Sequence, residues 1–230
     1  MSQTASDSLS SALDSLAESL FLGRKISAAR RAAAARWIAD RQGLPGSYAA
    51  MFAPTARDMR GIRLFTGEAV RSRAGISHLL GEEAVRILSA LRVDDRRVQD
   101  ALGRAIGGMA ARLEESEQRG FSTGIYCCGT CAAGYWRNLA LGLFPRSLDR
   151  LRLGLEQLKQ LRLADGTWCR FPFHYTSLAL TEIGPDLAGA EMKHAARRWS
   201  RLLPRLGASS DPLSVRRAAV GKRLLDLCES

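Results

Sequence analysis

Trp37-Ile38-Ala39-Asp40-Arg41-Gln42-Gly43-Leu44-Pro45-Gly46-Ser47-Tyr48 reads as the end of a helix and a short loop, followed by glycine, a small hydroxyl residue and a large aromatic ring. The same order returns 120 positions later, without a gap, in Gln157-Leu158-Lys159-Gln160-Leu161-Arg162-Leu163-Ala164-Asp165-Gly166-Thr167-Trp168. In each copy glycine is expected to take positive φ after the helix, and Tyr48 or Trp168 to fold back into the seam between neighbouring helices. A blurrier third copy runs from Met109 to Phe121 and ends in Arg119-Gly120-Phe121. Recurrence of a helix-and-turn unit points to an array of helical hairpins.

The remaining chain supports this. Leu9, Leu13, Leu16 and Leu20 fall at helical spacing, and Ser27 to Arg41 is rich in the strong helix formers Ala and Arg. Further helices are expected over Gly81–Leu91, Asp95–Glu117, Ala132–Leu143, Leu148–Leu163, Tyr175–Ile183, Leu187–Leu203 and Pro212–Leu227. Period-two runs bounded by hairpin dipeptides are missing. The expected fold is all-α, with residues 1–26 as an N-terminal helical extension and 27–230 as one α/α-repeat domain.

The repeat resembles the QW motif of the α/α-toroid families, the squalene and oxidosqualene cyclases and the β subunits of protein prenyltransferases. Gln42, Gly46 and Tyr48 match it in one copy and Gly166 and Trp168 in the other, while Arg162 stands where the motif has Gln. The resemblance covers roughly residues 28–183. It implies helical hairpins arranged as a partial or reduced toroid, shorter than the families' full ring, and an apolar or isoprenoid-like ligand held in an aromatic pocket. Tyr126, Trp136, Trp168, Phe173 and Tyr175 are the residues it places on that pocket. The cyclases' Asp-x-Asp-Asp acid is absent: Asp94-Asp95 precedes Arg96-Arg97 and reads as a helix cap. The prenyltransferases hold zinc with an Asp-x-Cys pair and a later His. Here Cys128 or Cys131 stands near the Cys position and His174 near the His position, with no Asp two residues before Cys128.

Read from the residues alone, Cys128-Gly129-Thr130-Cys131 is a Cys-x-x-Cys whose sulfurs can share one Zn²⁺, with Cys169 and His174 as third and fourth ligands. Two other readings stay open: cysteines packed as small hydrophobes, and a reactive thiol whose acidity is raised at a helix N-terminus. His78 reads as a surface or cap residue and His194 as solvated, whereas His174 lies in a dense aromatic stretch.

Charge adds a further set of readings. The 230 residues carry a formal +11, and Lys25, Lys159, Lys193 and Lys222 are the only lysines. Arginine beside abundant alanine fits a GC-rich coding sequence, and it also fits an anionic partner such as nucleic acid. Arg57, Arg60 and Arg63 would form one anion-gripping ridge on a helix, unless they face solvent or pair with Asp58 and Glu68. No run of 18 apolar residues suits a bilayer, and the first residues lack the basic and apolar regions of a secretory signal. Cytoplasmic location is therefore expected, with an apolar small molecule or peptide, a second copy of the chain or a polyanion as partner, or a role as a protein-interaction scaffold.

Overall fold

The computed structural model describes residues 8–229. Among these are nine helices: α1 (Leu9–Phe21), α2 (Ala28–Ala39), α3 (Arg73–Leu91), α4 (Arg96–Gln118), α5 (Gly129–Ala140), α6 (Ser147–Gln160), α7 (Phe173–Ile183), α8 (Pro185–Gly207) and α9 (Pro212–Glu229). The only named strands among the described residues are β1 (Ile62–Arg63) and β2 (Ala69–Val70), paired antiparallel. At two residues each they are too short for a period-two pattern to show in sequence. No described helix is long and apolar enough to cross a membrane. Residues 1–7 of the expected extension lie outside the described residues.

The helix starts follow capping chemistry. The side chains of Ser8, Ser27 and Ser72 accept from the backbone N–H of Ser11, Arg30 and Gly75. Asp95 accepts from Arg97 and Val98, as its reading as a cap anticipates. The start of α3 lies eight residues before Gly81, fixed by the Ser72 cap, and Ile76, Leu79 and Leu80 carry its buried face back through the added turns.

The chain divides into two compact units. One comprises the residues up to Leu64 together with Ala69–Gln118; the other comprises Phe65–Glu68 and Arg119 onward. In the first, α1 packs on α3, α2 on α4, and α3 touches both α2 and α4. Leu9, Leu13 and Leu16 bury one face of α1, each stabilising by roughly 1.5–3 kcal/mol. Asp58 secures the start of that helix from 50 positions on. Its carboxylate accepts from Ser8 Oγ at 2.6 Å, from the N–H of Leu9 and Ser10 at 3.0 and 3.1 Å, and from both the N–H and the hydroxyl of Thr55 at 2.7 Å. Burial opposes its ionisation, but these donors prevail and hold the carboxyl below its usual range.

In the second unit α5, α7 and α9 pack in succession, α6 packs on α8, and hairpins α5–α6, α7–α8 and α8–α9 join the two sets. Arg137 crosses from α5 to α7 with a bidentate pair to Glu182 at 2.7 and 2.9 Å. Phe65–Glu68 also belongs here. Arg217 Nε on α9 donates to the Thr66 carbonyl at 2.7 Å, and the Glu68 carboxylate accepts from the Tyr175 N–H, 3.2 Å away in the first turn of α7.

The recurring turn exists, with a different register. In the first copy Gly43 N–H donates to Met51 O at 2.8 Å and Ala53 N–H to Arg41 O at 3.0 Å. In the second, Leu163 N–H donates to Thr167 O and Cys169 N–H to Leu161 O, both at 2.8 Å. Arg41 thus corresponds to Leu161 and Ala53 to Cys169, so the return segment of the first copy arrives four residues late. Gly46 and Gly166 have φ of +90° and +89°, as expected of both. The ring equivalent to Trp168 is nevertheless Phe52: bridges pair Gln42 with Phe52 and Arg162 with Trp168, and both rings are buried. Tyr48 sits in the longer loop, half-buried against His78 on α3 with ring centroids 3.7 Å apart. The third copy has the positive-φ glycine but no wedge, since Phe121 is 66% exposed.

These positions make the register testable. Phe52→Ala is expected to destabilise the protein by about 3–5 kcal/mol in urea unfolding, as loss of a fully buried ring does. Tyr48→Ala is expected to cost clearly less. Equal losses would restore the ungapped alignment.

Candidate functional site

The thiols sit where α5 begins. Cys128 is the N-cap of that helix, with extended backbone (φ −103°, ψ 169°), and is solvent-exposed; Cys131, one turn on, is buried. The Cys128 thiol is driven down to about 5. The largest cause is a hydrogen bond from the Cys131 thiol, which outweighs burial and is reinforced by the backbone N–H groups of Cys131 and Thr130 in the first helical turn. The neighbouring Cys127 thiol moves the opposite way: burial and the Cys128 thiolate push it up. Of two adjacent exposed thiols, Cys128 is therefore the thiolate at neutral pH and Cys127 stays protonated.

Close packing places this helix end. Gly129 faces the turn that follows Trp168, and a Cβ there would overlap the Arg170 carbonyl oxygen and the Phe171 ring. Phe171 stacks on Trp136 of α5 at 5.4 Å and 17°. Trp136 Nε1 donates to Gly124 O at 2.7 Å in the segment leading to the cysteines. Gly124 in turn lies against Gly154 of α6, where a Cβ on Gly124 would come 2.6 Å from the Gly154 nitrogen. The glycine inside the Cys-x-x-Cys is thus a packing requirement. The sequence signal for it is the Gly of Cys128-Gly129-Thr130-Cys131, which reads as a ligand spacer until the Arg170 carbonyl is seen opposite.

The expected four-ligand set does not assemble. Among the described residues, no three of Cys128, Cys131, Cys169 and His174 place ligand atoms within 4.8 Å of one another. Four tetrahedral ligands at 2.0–2.3 Å from one zinc would lie closer than that, so these residues do not fit the ion. His174 is turned to other work at the start of α7. Its ring meets Phe173 and Trp199 edge-on at 5.3 and 5.4 Å, with Nδ1 3.8 Å from Glu68. Burial, then the charges of Arg217 and Arg198, hold it down to about 4, so it is neutral near pH 7 and its approach to Glu68 is not an ion pair there.

The aromatic residues expected on a pocket wall mostly fill the core. Trp136, Trp168 and Tyr175 are buried, whereas Tyr126 and Phe173 are half-buried. Trp168 Nε1 donates to Glu191 at 2.8 Å, Tyr126 meets Tyr135 edge-on at 5.1 Å, and Phe173 packs on Trp199 at 5.0 Å. Arg57, Arg60 and Arg63 are exposed but share no helix. Asp58–Arg60 is a single 3₁₀ turn, Gly61 breaks it at φ 127°, and Arg63 lies in β1. Nor do the other histidines match their readings: His78 is half-buried within α3 beside Tyr48, and His194 Nε2 lies 3.0 Å from Thr167 O.

Comparison with known families, curated proteins and solved structures gives no match to this chain.

Two outcomes follow. Gly129→Ala should displace the start of α5, destabilise by about 1–3 kcal/mol as overpacking does, and raise the apparent pKa of the Cys128 thiol, read from thiolate absorbance against pH. His174 has a folded value below its unfolded one near 6.5, so its contribution to stability is complete above that pH and is lost as pH falls toward 4. Urea midpoints at pH 7 and 4.5 should differ less in His174→Gln than in the unaltered protein.

Proposed function

We propose that this chain is an α/α-repeat protein of the toroid kind whose reactive group is the Cys128–Cys131 dithiol, a centre for thiol–disulfide exchange. The repeat reading is supported by the packing of alternate helices on one another within each unit and by the shared turn that buries Phe52 and Trp168. The observation that carries the reaction is the placement of Cys128. It is an exposed N-cap thiolate whose resolving partner is buried one helical turn away and already hydrogen-bonded to it. That arrangement separates the roles by access, since an incoming disulfide meets Cys128 first.

In the exchange, the Cys128 thiolate attacks one sulfur of a substrate disulfide. An S–S bond forms to Cys128 as the substrate bond breaks, and the first substrate thiolate leaves. Cys131 then loses its proton and attacks Cys128 Sγ, closing an internal disulfide and releasing the second substrate thiolate. The protein ends oxidised by two electrons and the substrate reduced by two. Gly129 and the turn at Arg170 hold the helix end, while the backbone N–H groups of Thr130 and Cys131 stabilise the Cys128 thiolate before it attacks. The isoprenoid ligand and zinc implied by the family resemblance enter no step of this reading.

The test is alkylation of the full chain by iodoacetamide as a function of pH, followed by peptide mass analysis. Cys128 should react first, with a midpoint near 5, and Cys128→Ser should abolish that fast phase. Titration with oxidised glutathione should remove two hydrogens and link Cys128 to Cys131. A Cys128 midpoint at 8 or above, or zinc bound stoichiometrically with both thiols shielded, would overturn the proposal.

A further inference from the structure

The long helix α8 carries four of its five lysines and arginines along one row, the fifth, Arg198, pairing with Asp165. Lys193, Arg197, Arg201 and Arg205 recur at every fourth position and all four are exposed. At 1.5 Å rise per residue the line advances about 6 Å per step and spans about 18 Å. Among the described residues no carboxylate lies within ion-pair distance of any of the four. Off the helix, Arg201 Nη2 donates to the Asp165 carbonyl at 3.3 Å and its charge acts on the Asp165 carboxyl, and that of Lys193 acts on the Cys228 thiol. Of the acids on α8, Glu191 is buried and taken up by Arg162 and Trp168, and Asp186 lies at the far N-terminal end.

Like charges at i, i+4 repel along a helix, and the helix dipole favours only a cation in the last turn, Arg205. Neither the helix dipole nor a carboxylate within ion-pair distance accounts for the alignment of the other three. Beside the line stand the small exposed residues Ala190, Ser200 and Pro204, which leave the charges open to a close, straight polyanion.

We infer that this face of α8 binds the phosphate backbone of double-stranded nucleic acid, independently of sequence. One duplex strand presents a phosphate about every 3.4 Å of axis, so the line spans roughly five phosphates. No exposed aromatic ring accompanies the four cations to stack on bases, which leaves backbone contact as the mode. A membrane surface fits less well. The apolar side of α8, Ala188, Met192, Ala195 and Trp199, is buried in the core and is not available to enter a bilayer.

The test is fluorescence anisotropy of a labelled 20-base-pair DNA duplex of arbitrary sequence with the full chain. Four phosphate contacts predict a log–log salt slope of about −3 to −4, hence roughly a 100-fold loss of affinity between 50 and 200 mM salt. Arg197→Gln/Arg201→Gln/Arg205→Gln should flatten the slope toward −1. Arg57→Gln/Arg60→Gln/Arg63→Gln removes the same charge elsewhere and should leave the slope near its original value. Circular dichroism checks that each variant is folded, and if the triple variant is not, Arg197→Gln alone should shift the slope by about 1. Equal losses from both triple variants, an unchanged slope in Arg197→Gln, or binding to phosphatidylserine vesicles without binding to the duplex would overturn the inference.

Discussion

A single buried carboxylate organises the second unit. Glu191 accepts two hydrogen bonds from Arg162, at 3.0 and 2.6 Å, and a third from Trp168 Nε1 at 2.8 Å. It thereby ties the end of α6 and the return turn to α8. Breaking such a buried network typically leaves an uncompensated charge and costs several kcal/mol. The turn it fixes places the Arg170 carbonyl and Phe171 against Gly129, and Gly129 sets where α5 begins. The acidity of Cys128 is therefore three contacts downstream of Glu191, with no direct interaction between them required.

Helix identity was legible because it is local. The 3-and-4 spacing of Leu9, Leu13 and Leu16, the breakers after Ala39 and the serine caps depend on residues a turn apart. Turn register was not legible in the same way. Gly46-Ser47-Tyr48 repeats Gly166-Thr167-Trp168 residue for residue, but which ring reaches the core depends on the loop length between two backbone bridges. Ala49 and Ala50, both at positive φ, lie in the stretch that delays the return to Phe52. Nothing in their chemistry announces such a conformation.

The site shows the same division between near and far. That a cysteine opening a helix would be acidic follows from the Cys-x-x-Cys and its neighbours, and the structure places Cys128 there. Convergence of Cys169 and His174 on it would have required tertiary geometry that spacing does not encode. His174 turns instead toward Trp199 and Glu68, because the start of α7 is packed between α8 and the Phe65–Glu68 peptide. The opposite behaviour of Cys127 and Cys128 has a similar origin: Cys128 takes the hydrogen bond of the Cys131 thiol and of the first-turn amides, while burial and the neighbouring Cys128 charge push Cys127 up.

The Phe65–Glu68 peptide also bears on how the protein can be dissected. These four residues belong to the second unit, though the chain on either side of them belongs to the first. A fragment beginning at Arg119 would therefore lack Thr66 O, the acceptor for Arg217, and the Glu68 carboxylate that closes the first turn of α7. Covalent order and compact unit are out of step in this chain. A cut between α4 and α5 amputates part of the body it seems to isolate.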